Sequence, residues 1–199
     1  MAHSFDEAAR QRLLCFLQVQ LELNPQADPS TFDSAAEEAF DAVQREALEY
    51  AKRFDPDQLH AFFCALYQQR EDQWLAGQAF SLLAHLPHPG GLTFLAEVLT
   101  SQSEEWRCAV CDKLRELPGE ASSALLTRVL LSDEDPDVRW SAADALATVG
   151  TENALPVLLH VSVHDRGQDY EGFLVADAAH RAFQAVRRRL QDDTNSVDQ

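Results

Sequence analysis

A run of acidic residues is the part of the sequence that most resembles a site for chemistry. It consists of Asp133, Glu134, Asp135 and Asp137, within LLSDEDPDVRWSAADALATVG at 130–150. Carboxylates at this density are typical of calcium loops, but an EF-hand spreads its oxygen ligands over about twelve residues, with a central glycine and a closing glutamate. Here Pro136 stands where a helix begins and Val138 opens its apolar face, so the acids meet the positive end of the helix dipole. The pattern therefore predicts a turn before a helix and no metal site.

The cysteines and histidines are the other residues that bind metals or act as nucleophiles. Cys108 and Cys111 form a C-x-x-C in WRCAVCDKL, but no second ligand pair follows at the spacing of a zinc site. The pair lies inside a helical pattern, without the preceding strand of a thioredoxin-like motif. His85 and His88 flank a turn with no paired carboxylate nearby, and there is no Ser/His/Asp motif or P-loop. We predict packing roles for the cysteines, and no catalytic residue, metal site or cofactor.

Charge and composition restrict the class of partner. The 199 residues include 33 acidic and 16 basic ones, which gives a net charge of −17 at pH 7. Nucleic acids are bound through clustered Lys and Arg, so a nucleic-acid partner is disfavoured, whereas a basic protein would be steered toward this surface. An acidic surface also confers solubility alone, and the composition does not separate these two interpretations.

The expected location follows from what the chain lacks. No apolar run approaches the roughly 20 residues that a membrane-spanning helix needs. The N-terminus, MAHSFDEAARQR, has acids and no apolar core, unlike a signal peptide. We therefore expect a cytoplasmic protein without a membrane partner.

Helical periodicity repeats along most of the chain. Counted from Arg139, small or apolar residues follow at offsets of 3, 7 and 10 residues, which lie on one face of a helix. The same offsets hold from Gln44, Ala76, Arg107 and Ala176, and after all but the last anchor a second helix has apolar residues at offsets of 19 and 22. The anchors are 32, 31, 32 and 37 residues apart. One helical pair cannot enclose a core alone, so the pattern predicts an all-α solenoid of stacked pairs.

The repeat register also predicts the domain boundaries. We expect a single solenoid domain over residues 1–190 and a flexible tail over 191–199. An N-terminal capping helix and loop occupy 1–31, and a C-terminal capping helix occupies 174–190. The four pairs between them lie at about 32–70, 71–101, 102–132 and 133–165.

The segment DPDVRWSAADALATVG (135–150) resembles the HEAT repeat, in the bacterial form first noted in phycobilin lyase subunits. The family pattern is matched by Asp135, Pro136, Val138, Arg139, Ala142, Ala143, Leu146, Val149 and Gly150. In HEAT proteins the equivalent acid and arginine form a polar ladder between neighbouring repeats. The resemblance therefore implies an inter-repeat ladder of Glu105, Arg107, Asp137 and Arg139. Ala76 and Ala176 replace the arginine elsewhere.

The resemblance implies a HEAT-like alpha-alpha superhelix but leaves the function open. Most HEAT proteins are binding scaffolds, some are phycobilin-lyase subunits that act on tetrapyrrole-carrying proteins, and a few are enzymes. Base binding by Trp140 with Asp144, as in HEAT-like DNA glycosylases, would need a basic groove, and this chain is acidic. The His-Glu pairs of the HEAT-fold deoxyhypusine hydroxylases are absent from the sequence.

The second helices of successive pairs line the concave face in HEAT solenoids, and we expect a protein partner to bind there. The register places a mixed polar and apolar strip on that face, as a protein-binding groove needs. Ordinary solvated helix positions would have the same composition. The insertion HDRGQDYEGF (164–173) is expected to add contacts from one rim through Asp169 and Tyr170. The predicted strip consists of Gln68, Thr93, Glu97, Thr100, Arg128 and His160.

The function that we predict is non-catalytic binding of a protein partner, and we expect that partner to have a basic surface. Such a scaffold would act as an adaptor, an assembly factor or an inhibitor of the immunity type. A phycobilin-lyase-like subunit is the alternative, and a HEAT-like DNA glycosylase is a weaker one.

Overall fold

The computed structural model describes residues 5–23, 34–68, 73–85, 90–101 and 103–197, and within these residues the chain forms α-helices and no β-strand. The predicted all-α fold is confirmed. Within the described residues no helix is long and apolar enough to cross a membrane. The helices are α1 (Glu7–Leu23), α2 (Ser34–Ala51), α3 (Pro56–Gln68), α4 (Gln73–His85), α5 (Gly91–Val98), α6 (Glu104–Arg115), α7 (Glu120–Ser132), α8 (Pro136–Val149), α9 (Leu155–His164) and α10 (Val175–Val197).

The apolar positions that define the repeat form the core. Residues at offsets 3 and 7 from four anchors are at most 1% exposed; they are Ala47, Ala51, Ala79, Leu83, Val110, Leu114, Ala142 and Leu146. The second helices bury their offset-19 residues equally well, with Phe63, Leu95, Leu126 and Leu158 all at 0%. The periodicity therefore identifies which face of each helix is packed.

Residues 1–91 form a compact unit of their own. In this first unit α1 packs against α2, α3 packs against α4, and α1 also contacts α4. Its core is rich in aromatic contacts, including edge-to-face pairs of Phe5 with Phe54 and Phe62 at 5.4 and 5.2 Å between ring centroids. A hydrogen bond of 2.7 Å from Gln44 Nε2 to Ser81 Oγ joins α2 to α4.

Residues 92–199 form the second compact unit. Helix α8 lies between α6 and α10 in one row, while α7 and α9 contact each other in a second row. Helix α8 packs against α7, and α10 packs against α9, so the two rows form two layers. This is the arrangement expected when helical pairs stack with their second helices on one side.

The acidic run forms the turn between two pairs, as the sequence predicts. Asp133 caps the end of α7, and Asp135 is the N-cap of α8, where its Oδ1 accepts a 2.8 Å hydrogen bond from the Asp137 N–H. Pro136 is the first residue of α8, where its missing N–H costs no helical hydrogen bond.

Two contacts tie the far end of α8 to neighbouring helices. Arg189 of α10 donates to the carbonyl oxygens of Ala147 and Gly150, at 3.0 and 2.5 Å, and so satisfies groups at the end of α8 that have no partner within the helix. The buried Ser123 of α7 accepts a 3.0 Å hydrogen bond from the Thr151 N–H. Both contacts fix the turn that follows α8.

Some predicted boundaries differ from those of the structure or lie outside it. Helix α10 continues to Val197 rather than ending at residue 190, so the predicted tail over 191–199 is helical as far as it is described. The sequence QDDTNSV contains no proline or glycine that would end a helix there. The predicted loop at 24–31 lies outside the described residues, and the single domain stays a prediction.

Candidate functional site

Two largely buried ion pairs organise the turns of the second unit. Arg107 on α6 is 7% exposed and makes a bidentate pair with Asp133, with Nε to Oδ2 at 2.8 Å and Nη2 to Oδ1 at 3.0 Å. Its Nη1 donates to the Ser101 carbonyl oxygen at 2.9 Å. The hydrogen bond with Asp133 raises the pKa of Arg107 against the opposing effect of burial.

The same geometry recurs one repeat later. Arg139 on α8 pairs with Asp165, with Nε to Oδ2 at 2.8 Å and Nη2 to Oδ1 at 3.1 Å, and its Nη1 donates to the Asp133 carbonyl oxygen at 3.0 Å. Burial would raise the pKa of Asp165, but hydrogen bonds from Arg139 and from the Gly167 N–H outweigh it, and the pKa is lowered. Asp133 thus joins the two pairs, through its side chain to Arg107 and through its carbonyl to Arg139.

The carboxylates of this ladder are Asp133 and Asp165, and not the predicted Glu105 and Asp137. Glu105 is exposed on the first turn of α6, and Asp137 accepts a hydrogen bond of 2.6 Å from the Tyr170 N–H instead. Asp137 stands at the start of α8, whereas the guanidinium of Arg139 extends toward the end of the second helix of its own pair. The signal was present in the sequence, because each aspartate follows its arginine by 26 residues.

A partly apolar surface lies on the second-helix layer of this unit. We define the α7–α9 face by Arg128, Leu131, Leu159, His160 and Val163. Its three aliphatic side chains are 53%, 51% and 53% exposed, in the order Leu131, Leu159 and Val163. Leu131 and Val163 hold equivalent places in successive repeats, on helices that contact each other. The predicted strip residues Arg128 and His160 are exposed beside them.

A groove of about 330 Å³ adjoins the α7–α9 face. His160 and His164 stack along one wall, with ring centroids 4.4 Å apart. Leu131 contributes to another wall, and the Arg139–Asp165 pair lies at its base. The groove therefore offers imidazole and aliphatic surface next to a fixed ion pair.

The remaining strip residues are exposed at the predicted helices. Thr93 and Glu97 lie on α5, and Thr100 follows that helix and donates from Oγ1 to the Glu97 carbonyl oxygen at 2.6 Å. Gln68 is exposed at the end of α3 in the first unit. Exposure is as predicted, while binding by these residues stays a prediction.

The insertion between α9 and α10 folds into a fixed loop. The Asp169 carboxylate accepts from the backbone N–H groups of Glu171 and Phe173, at 3.0 and 2.7 Å, and Gly172 adopts a φ of +88° that a side chain would disfavour. The bond from the Tyr170 N–H to Asp137 fastens the loop to α8. Both predicted loop residues, Asp169 and Tyr170, thus have defined positions.

The loop covers one end of a pocket of about 540 Å³ on the first-helix layer. We name it the α6–α8 pocket, since its walls come from those helices and the loop. Its lining residues are Glu104, Glu105, Cys108, Asp137, Trp140, Ser141, Asp169, Tyr170 and Glu171. No sequence pattern indicates this pocket, because it depends on how the insertion folds back.

Cys108 and Cys111 lie in environments that suppress thiolate chemistry, whereas Cys15, for which packing was predicted, is exposed. Cys108 and Cys111 are free, and burial raises the pKa of both thiols. Negative charge from nearby aspartates adds to the effect at Cys108. A thiolate is the nucleophilic form of cysteine, so these thiols are poorly suited to covalent catalysis. The predicted packing role holds for Cys111, which is 0% exposed, while Cys108 also lines the α6–α8 pocket.

The acid and the tryptophan considered for a glycosylase have other contacts in the structure. Asp144 forms an ion pair with Arg115 at 2.9 Å, while Trp140 lines the α6–α8 pocket with Asp137. Among the described residues, no group of three or more His, Cys, Asp or Glu is placed to hold a metal ion.

Comparison with protein families identifies the repeat. The family model for HEAT repeats matches residues 92–171. Over this segment the chain is similar to HEAT repeats. The match includes both Arg–Asp pairs, the α7–α9 face and the insertion loop as far as Glu171. HEAT repeats in general form helical scaffolds that are often used for protein interactions.

Two further comparisons add little to this assignment. The crystal structure of an engineered protein is similar to this chain at 19% sequence identity and a TM-score of 0.45, over 92% of this chain and 90% of that one. A search of curated proteins gave no match.

Proposed function

We propose that the chain is a non-catalytic scaffold that binds a protein partner through the α7–α9 face. The observation that carries this proposal is the exposure of Leu131, Leu159 and Val163, each more than half accessible on a HEAT-repeat surface. Large aliphatic side chains grouped at one surface favour association, since covering them removes apolar area from water.

The composition of the face also favours a protein as the ligand. Its aliphatic centre is flanked by Arg128 and His160, and an apolar core with a polar rim is typical of protein interfaces. The adjoining groove of about 330 Å³ accommodates a side chain from the partner. Arg128 supplies hydrogen-bond donors, while His164 donates from Nδ1 to the His160 carbonyl oxygen, which leaves Nε2 of its neutral ring as an acceptor.

The scaffold beneath the face is held in place by the ion pairs. Arg139 and Asp165 lie at the base of the groove, and their bidentate geometry fixes the ends of α8 and α9 relative to each other. A surface that is already ordered loses less conformational entropy when a partner binds. This supports binding by a preformed face.

Charge favours a partner with a basic surface. With a net charge of −17, the chain would attract such a protein over distances of about one Debye length, and salt would slow the association. An adaptor, an assembly factor and an inhibitor of a basic protein are three roles that such binding would serve.

The test is a comparison of full-length variants in affinity capture from a lysate of the source organism. The double variant Leu131→Asp/Val163→Asp places two charges in the apolar centre, and we expect it to retain at most about a tenth of the captured partner. Val19→Asp is the matched control, because Val19 is an aliphatic residue 41% exposed on α1 of the first unit. It should capture as much as the unmodified chain.

Circular dichroism would first establish that both variants are folded. Equal capture of the same protein by the unmodified chain and both variants would contradict binding through the α7–α9 face. Loss of capture in both variants would point to general acidification as the cause, and would also contradict it.

A further inference from the structure

The α6–α8 pocket has features that binding at the α7–α9 face does not use. It lies in the other helix layer of the second unit, and its walls share no residue with the groove beside His160. At about 540 Å³ it is the larger of these two concavities. The pocket is therefore a candidate site for a separate ligand.

Negative charge dominates the walls of the pocket. Five of its nine lining residues are carboxylates, and no Lys, Arg or His is among the described residues that line it. Charges on Glu171, Asp169 and Asp137 raise the pKa of Tyr170, and Asp137 contributes to the raised pKa of Cys108 after burial. Both shifts include a contribution from nearby carboxylates, whose negative potential favours a cation and disfavours an anion.

Two aromatic side chains accompany the carboxylates. Trp140 lines the pocket from α8, and its Nε1 is buried without a hydrogen-bond partner. Tyr170 lies at the rim and is 85% exposed, although aromatic side chains usually gain by burial. Aromatic faces next to carboxylates attract organic cations, through the ring quadrupole and through charge.

The position of Tyr170 is fixed before any ligand binds. Its backbone N–H is held by Asp137 at 2.6 Å, and Asp169 accepts two further backbone hydrogen bonds from the same loop. These contacts hold the backbone of Tyr170 beside the pocket, so the loop needs no refolding when a ligand binds. Preformed sites of this kind bind with a smaller entropic cost.

Other ligand classes fit less well. A calcium ion needs six to eight oxygen ligands converging on one point, and the described carboxylates form no group placed to hold a metal. Anions would be repelled. The raised pKa of Cys108 keeps its thiol protonated near neutral pH, which disfavours an electrophilic substrate.

We propose that the α6–α8 pocket binds an organic cation of the kind carried by lysine and arginine side chains, an alkylammonium or guanidinium group. Trp140 and Tyr170 supply the aromatic surface, and Glu105, Asp137 and Glu171 supply the counter-charge. The site is independent of the proposed function, since it neither contains the α7–α9 face nor requires its partner.

The test is a titration of the full chain observed by ¹H–¹⁵N NMR. The indole resonance of Trp140 is assigned by its absence in Trp140→Phe, and the amides of 169–171 report on the loop. The ligands are blocked lysine and blocked arginine, each with a neutral counterpart of similar shape, blocked norleucine and blocked citrulline. We expect saturable shifts with both cations and an affinity at least about tenfold higher than for the neutral compounds.

Butylammonium and propylguanidinium distinguish the source of the cation. Binding as tight as that of the blocked amino acids supports a free amine or guanidine as the ligand. Weaker binding supports a side chain presented on a peptide. Both results support the cation site.

Matched variants then test the assigned residues. Tyr170→Ala should weaken binding by about threefold to tenfold, while Tyr170→Phe should retain most of it because the ring remains. Since Tyr170 is 85% exposed, neither change threatens folding. Glu171→Gln should weaken binding, and Glu116→Gln, an exposed change outside the pocket, should leave it unchanged.

Any of three results would overturn the proposal. The first is the absence of any saturable shift with the four cations, and the second is equal affinity for blocked arginine and blocked citrulline. The third is unchanged affinity in both Tyr170→Ala and Glu171→Gln.

Discussion

The two compact units keep the same helical register but differ in the side chains at the anchor positions. In the first unit the anchors are Gln44 and Ala76, and Gln44 makes a neutral hydrogen bond to Ser81. In the second unit two of the three anchors are Arg107 and Arg139, each in a largely buried pair with an aspartate, and the third is Ala176. One repeat pattern is thus compatible with either neutral or ionic contacts between helices.

Aromatic packing has the larger part in the first unit. Tyr50 and Phe54 are in edge-to-face contact at 5.1 Å, and Phe62 lies 5.2 Å from Phe63. Such contacts depend on side-chain volume, whereas an Arg–Asp pair depends on charge and geometry. We therefore expect the stability of the first unit to be sensitive to the loss of side-chain volume, and the stability of the second unit to be sensitive to the loss of charge.

The largest effect is expected from removing volume in the first unit. Phe63 is 0% exposed, so Phe63→Ala leaves a cavity and should destabilise the first unit by about 4 kcal/mol. Hydrogen exchange with mass spectrometry would measure the loss in peptides from 34–68, with peptides from 136–164 as the reference. Protection that stays unchanged in 34–68 would contradict an aromatic core there.

Breaking one ion pair should have a slightly smaller effect in the second unit. Asp133→Ala leaves the guanidinium of Arg107 buried without its carboxylate and should cost about 3 kcal/mol. The double variant Arg107→Met/Asp133→Leu removes both charges and should recover most of that loss, since a buried pair is often replaceable by apolar residues. Urea unfolding of the three chains measures this, and a double variant no more stable than Asp133→Ala would argue against the uncompensated charge as the cause.

Two glycines, one in each unit, differ in how closely other atoms approach them. A Cβ on Gly150 would lie 2.5 Å from the Leu146 carbonyl oxygen and 2.8 Å from Val186 Cγ2, whereas one on Gly91 would meet nothing within 4 Å. We expect Gly150→Ala to destabilise by about 2 kcal/mol, and Gly91→Ala to be neutral or stabilising by up to about 1 kcal/mol. Thermal unfolding of both variants provides the test, and similar melting temperatures would contradict it.

The smallest effect is expected from acid titration of Asp165. Its pKa is lowered in the folded state, because the hydrogen bonds from Arg139 and Gly167 outweigh the opposing effect of burial. A lowered pKa adds stability above the unfolded value, about 3.9, and this stability is lost as the pH falls through the folded value. Protection of peptides around 155–174 should therefore fall below about pH 4, and Asp165→Asn should flatten that part of the profile. An unchanged slope would show that Asp165 does not contribute.

Much of the fold could be predicted because helix packing leaves a periodic trace in the sequence. Arg107, Ala142, Leu126 and Leu158 fall at fixed offsets, and each of them is buried. The end of α10 was predicted less well, because the polar helical segment QDDTNSV has no apolar periodicity. Only the lack of a helix stop signal distinguishes such a segment from a flexible tail.

The candidate sites were only partly predictable. Exposure of Arg128 and His160 follows from their offsets from the buried face. The predicted carboxylate partners of the two arginines were wrong. The family pattern indicated acids close to each arginine in the sequence, whereas the observed partners Asp133 and Asp165 lie 26 residues later. The α6–α8 pocket depends on one long-range contact, Tyr170 N–H to Asp137, which no periodicity encodes.

Position-specific photo-crosslinking tests the central claim, that a protein partner binds the α7–α9 face. A photoreactive benzoyl-phenylalanine would replace Val163 on that face or, as a control, the exposed Gln184 on α10 of the other layer. Binding through the face predicts an adduct with a single partner at position 163, and excess unlabelled chain should suppress this adduct. Position 184 should yield at most about a tenth as much of the adduct. An adduct with the same partner at 184 and none at 163 would contradict it.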